Sequence, residues 1–65
     1  MVSHRYIYAS ARLLMKEHSD KAEGVAIENM LKLMGQDDIK GASVWMSIMN
    51  AINDLHLMQE QPHLH

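Results

Sequence analysis

His18 stands two residues before Asp20 in the stretch KEHSDKAEG, residues 16–24, and His-x-Asp is a spacing that acid–base chemistry can use. Such chemistry also needs a third positioned group and a pocket, which a chain of this size can hardly form. The pair has a simpler reading. His18 falls in the last turn of one expected helix, where a cation suits the unpaired carbonyls. Asp20 falls at the start of the next, where an anion suits the unpaired amides. We read it as helix punctuation. The serines at 3, 10, 19, 43 and 47 have no base beside them in sequence, and there is no cysteine nucleophile, no phosphate-binding glycine loop and no Gly-x-Ser-x-Gly turn. His56, His63 and His65 could hold an incidental zinc or nickel ion, but no carboxylate or thiolate completes their shell. The methionines at 15, 30, 34, 46, 49 and 58 sit at helical spacing and read as core filler before thioether ligands for copper. No catalytic residue, metal site or cofactor is assigned, and the chain is not expected to be an enzyme.

With chemistry set aside, the elements carry the information. The 65 residues make one domain at most, and a chain this short hides only about 60% of the surface it exposes when unfolded. Small domains compensate with disulfides, a metal or association, and the absence of cysteine removes the first and the best zinc ligand with it. Association is the expected remedy. The opening residues MVSHRYIYAS lack an apolar core of signal-peptide length, and nowhere does the chain approach the roughly 20 apolar residues of a membrane span; a cytoplasmic location is expected. Net charge is −2 with histidines neutral, which gives no field toward nucleic acid or an anionic membrane.

Strand signals are missing and the pattern is helical from end to end. The fold expected is all-α, a small three-helix domain over residues 1–61 completed by homodimerisation through the third helix, with 62–65 as a mobile tail. Helix one spans about 4–18, with Ser3 as N-cap and Ile7, Ala11 and Leu14 on one face, Tyr6 and Leu13 alongside. Helix two spans about 20–34, capped by Ser19 or Asp20, with Ile27, Met30, Leu31 and Met34 as its core face and Gly35 at the left-handed C-cap. Helix three, opened by Asp37 or Asp38, spans about 38–60 and ends before Pro62. Gly24 and Gly41 each fall in a first turn, where they weaken a helix least and let another backbone come close.

Helix three is unusually bare. Of the 21 residues from Ile39 to Gln59, twelve are apolar and only Lys40 and Asp54 are charged. Its apolar arc is roughly 200° wide where a surface helix needs little more than about 100°. Two partners are implied. Val44, Ile48, Ala51, Leu55 and Met58 alternate steps of four and three, the seam of a helix paired with another chain. Trp45, Met49 and Ile52 are placed beside it, facing helices one and two. Met46, Asn50, Asn53 and Leu57 form a second, weaker seam on the opposite flank, where an asparagine pair can fix register between chains.

The stretch ASARLLMKEHSDKAEGVAIENMLKLMGQDDIKGASVWMSIMNAINDL, residues 9–55, resembles a group of short, uncharacterised bacterial helical proteins. Their pattern is a first helix ending in His-Gly-Asp, an Ala-rich second helix, a Gly-Asp turn and a tryptophan-bearing third helix. The matching residues are His18, Asp20, Ala22, Ala26, Gly35, Asp37 or Asp38, Gly41 and Trp45, with Ser19 where the glycine would stand and Gln36 inserted before the acidic pair. The resemblance implies a compact helical domain and no activity. The function expected is a noncatalytic protein-interaction module or small regulatory adaptor that binds a second copy of itself, with no nucleic acid, membrane or small-molecule substrate as partner. A degenerate helix-turn-helix regulator built on Gly35–Asp38 is the alternative, opposed by a recognition helix opening Asp38-Ile39-Lys40-Gly41 with almost no base-reading side chains. A histidine-based metal helper using His56, His63 and His65 ranks last.

Overall fold

The computed structural model describes residues 3–60, the side chains at 59 and 60 excepted, and those residues are all-helical with no strand among them. Their helix forms two unbroken stretches, 4–35 and 39–60, rather than the three separate helices expected. The first stretch is jointed: α1 (His4–His18) passes through a single 3-10 turn (Ser19–Lys21) straight into α2 (Ala22–Gly35), and α3 is Ile39–Glu60. The expected tail and its Pro62, His63 and His65 lie outside the described residues.

Local chemistry explains each boundary. Ser3 caps α1, its hydroxyl accepting from the Tyr6 amide at 3.2 Å. At the joint neither Ser19 nor Asp20 caps α2 with its side chain. The Ser19 amide instead donates to the Met15 carbonyl, and its own carbonyl accepts from Ala22, so the backbone satisfies itself across the turn. What redirects the chain is Ser19, at φ 51 and ψ −122, a conformation natural to glycine and strained for a residue with a Cβ. The second turn departs from expectation too. Gly35 remains helical, and the left-handed position falls on Asp37 at φ 61. The Asp38 amide reaches back to the Leu33 carbonyl at 2.8 Å and the Asp37 amide to the Met34 carbonyl at 3.1 Å, the paired bonds of a Schellman ending. Asp38 then opens α3, its carboxylate accepting from the Gly41 amide at 3.0 Å.

α3 is the element against which the other two are laid. α2 runs antiparallel to it, with Glu23 near His56 at one end and Leu33 near Gly41 at the other. α1 runs the other way along a second side, where Tyr8 donates to Asp54. The buried residues are Ile7 and Ala11 of α1, Ala22 and Ala26 of α2, and Ala42, Ile48, Ala51, Ile52 and Leu55 of α3. Five are alanines, so the helices approach closely but bury little apolar area, and Ile52 is the one large side chain wholly sealed from solvent among the described residues. At about 100° per residue the buried positions of α3 run from Ala51 through Leu55, Ile48 and Ile52 to Ala42, roughly half its circumference. The two partners implied by that wide arc are both supplied by this chain.

Candidate interaction surface

The side chains available for recognition are those this packing leaves outside. On α2 the face turned inward carries Ala22 and Ala26, with Val25, Asn29, Met30 and Leu33 half-buried. Asn29 is spent locally, donating to the Val25 carbonyl at 2.9 Å. The expected core face is therefore corrected: Ile27, Leu31 and Met34 are exposed at 37, 57 and 49%, and Met30 sits on the rim. Bulk misled the expectation. Ile27 and Leu31 would hold α2 off from α3, whereas alanines let the two backbones close. On α1, Ile7 is buried and Leu14 half-buried, while Tyr6 and Leu13 face solvent.

On α3 the expected interface divides. Ile48, Ala51 and Leu55 are buried and Val44 is half-buried against this chain's own helices, so that seam is core and not available to a second molecule. Met58, its last member, is exposed. Trp45 and Met49 are half-buried against the core that Ile52 fills. The second seam is open along its whole length: Met46, Asn50, Asn53 and Leu57 are all exposed, and Ile39 extends the same line toward the helix start. No charged residue interrupts that line.

The two exposed strips belong to one face. The Glu23 carboxylate and the His56 imidazole approach to 4.0 Å at the partly open edge where α2 meets α3. Stepping outward from that contact at about 100° per residue, α2 presents Met34, Ile27 and Leu31, and α3 presents Asn53, Met46 and Leu57. The two strips flank the Glu23–His56 contact and leave Ile27, Leu31, Met34, Met46 and Leu57 in solvent on either side of it. Sequence reasoning located both strips and assigned one of them to the core; the signal that separates them is the competing alanine line Ala22 and Ala26.

A second feature escaped the sequence entirely. An open groove of about 440 Å³ between α1 and α3 gathers His4, Tyr8, Ser43, Ser47, Asn50 and Asp54 over a floor of Ile7, Val44 and Ala51. Three of its polar side chains are held in hydrogen bonds within the chain. The Tyr8 hydroxyl donates to Asp54 Oδ2 at 3.1 Å, and Ser47 donates to the Ser43 carbonyl at 3.2 Å. The hydrogen bond to Asp54 and the negative charge of that carboxylate hold the Tyr8 phenol protonated above its ordinary range, with Arg12 pulling weakly the other way. Neither of these hydrogen bonds involves His4.

His18 and Asp20 are both exposed at the joint. Among the described residues no three metal-binding side chains cluster, and no helix is long and apolar enough to cross a membrane. No family model matches the chain, and neither a curated relative nor a solved structure matches it.

Proposed function

We propose that this chain is a noncatalytic protein-interaction module, a small adaptor or regulator that pairs with a second copy of itself through the α2–α3 face. The observation that carries the reading is the outward placement of Ile27, Leu31 and Met34. This bulky i, i+4, i+7 set remains in water while alanines occupy the interior, the reverse of what a self-sufficient domain of this size does. A second copy is favoured because self-pairing sets like against like. A charged strip would repel its twin, whereas the line Ile39, Met46, Asn50, Asn53 and Leu57 carries no charge, and its asparagines can pair and fix register.

The test is sedimentation of the native chain and of Leu31→Glu at micromolar concentration. Leu31 is already exposed, so the substitution should leave folding within about 0.5 kcal/mol of the parent while weakening association at least about tenfold. A native chain that sediments as a monomer and binds no fluorescent hydrophobic dye, or a Leu31→Glu chain that associates unchanged, removes the basis for the proposal.

A further inference from the structure

The joint between α1 and α2 turns on a single residue. Helical backbone runs up to it and away from it, no loop intervenes, and the residue that breaks the path, Ser19, holds φ 51 and ψ −122. At that combination a side chain bearing a Cβ is strained, and only glycine is at ease. The second turn differs in kind. Asp37 takes an ordinary left-handed conformation that aspartate tolerates, and backbone bonds to Leu33 and Met34 together with the Asp38 cap lock it. Strain is thus concentrated at one hinge.

We infer that the chain can exchange α1 with a second copy: Ser19 relaxes to helical angles, residues 4–35 become one straight helix, and α1 docks into the α1 site of the other molecule. Straightened, residues 4–35 are a single rod. Two such rods lying antiparallel set each α1 beside the other chain's α2 in the same antiparallel sense that the closed chain has. The contacts α1 makes with α2 and α3 are remade, and only those across the bent joint are given up. The burial of Ile7 and Ala11 and the Tyr8–Asp54 hydrogen bond are recovered between chains, two strained torsions are released, and what opposes the exchange is the entropy of association.

The exchange is independent of the α2–α3 face proposed above, and its test is run in the Leu31→Glu background so that the two forms of pairing are separated. Ser19→Ala removes the hydroxyl and favours the straight helix, whereas Ser19→Gly frees the bent one. Across the two hinges of a dimer, the dimerisation constants of these variants should differ by about a hundredfold. In sedimentation velocity Ser19→Ala is expected to give an elongated dimer and Ser19→Gly a compact monomer, with helix content by circular dichroism equal in both. A Ser19→Ala chain that stays monomeric at about 100 μM and is only less stable overturns the inference, as does a Ser19→Gly chain that dimerises equally well. A face-mediated dimer that fails to form in the parent chain leaves this comparison intact.

Discussion

At the scale of single residues, the structure makes the backbone the first place to look. Ser19 and Asp37 are the two non-glycine residues with positive φ among those described. Ser19→Gly should raise the stability of the closed chain by about 1 kcal/mol in thermal unfolding, because glycine meets that conformation without steric penalty. Asp38→Ala should lower stability by about 1 kcal/mol, since the Gly41 amide loses the carboxylate that caps it. The Tyr8–Asp54 hydrogen bond makes a pH prediction. Its phenol is raised above the ordinary 10.0, so the folded chain keeps that proton longer than the unfolded chain does. The stability it contributes is fully present below the unfolded pKa and fades as pH rises through the higher folded one. Unfolding midpoints followed above pH about 10 should fall more steeply for the native chain than for Tyr8→Phe; equal slopes would show that the bond does not couple α1 to α3. Ser3 was legible as a cap, and Asp38 as one of the pair Asp37 and Asp38, because capping is a local hydrogen bond between neighbours in sequence. The joint was not, since nothing local announces that Ser19 will adopt a glycine-like conformation.

At the scale of elements, α3 organises the molecule and α2 shows what composition can hide. The width of the apolar arc on α3 was readable from spacing alone, and so was the need for two partners. Which partners was not, because periodicity gives the direction of a face and says nothing about who covers it. α2 offers two faces, a bulky one with Ile27, Leu31 and Met34 and a small one with Ala22 and Ala26. Hydrophobicity ranks the first higher, yet close approach to α3 selects the second. Substitution at the close approach tests this: Ala26→Leu forces a branched side chain into a fully buried position and should destabilise the fold by about 1–3 kcal/mol. Gly41→Ala addresses the other end of the same contact. An added Cβ there would stand 2.6 Å from Asp38 Oδ2 and 3.0 Å from Leu33 Cδ1, so both the α3 cap and the α2–α3 packing must give way. Gly24, with nothing within 4 Å of an added Cβ, should instead gain about 0.5–1 kcal/mol as alanine. A chemical denaturation series on these three variants separates the packing effect from helix propensity.

At the scale of the whole molecule, an interior of five buried alanines and four larger side chains among the described residues is small support for a chain this long, and Ile52→Ala should cost about 2–4 kcal/mol in chemical denaturation. The surface that would make up the deficit is already in place on α2 and α3, free of charge along its α3 edge. The excess expected on α3 is covered within the chain, where Ile48, Ala51 and Leu55 are buried; the exposed apolar side chains are instead those of α2 that looked like core, Ile27, Leu31 and Met34, together with Met46 and Leu57 of the second α3 seam, which lie where they were expected. The decisive measurement is the concentration dependence of amide chemical shifts between about 10 μM and about 1 mM. Shifts confined to Ile27, Leu31, Met34, Ile39, Met46, Asn50, Asn53 and Leu57, with Ser43 and Ser47 in the α1–α3 groove unmoved, are what pairing through this face predicts. Shifts centred on the groove, or none over the whole range, would contradict it.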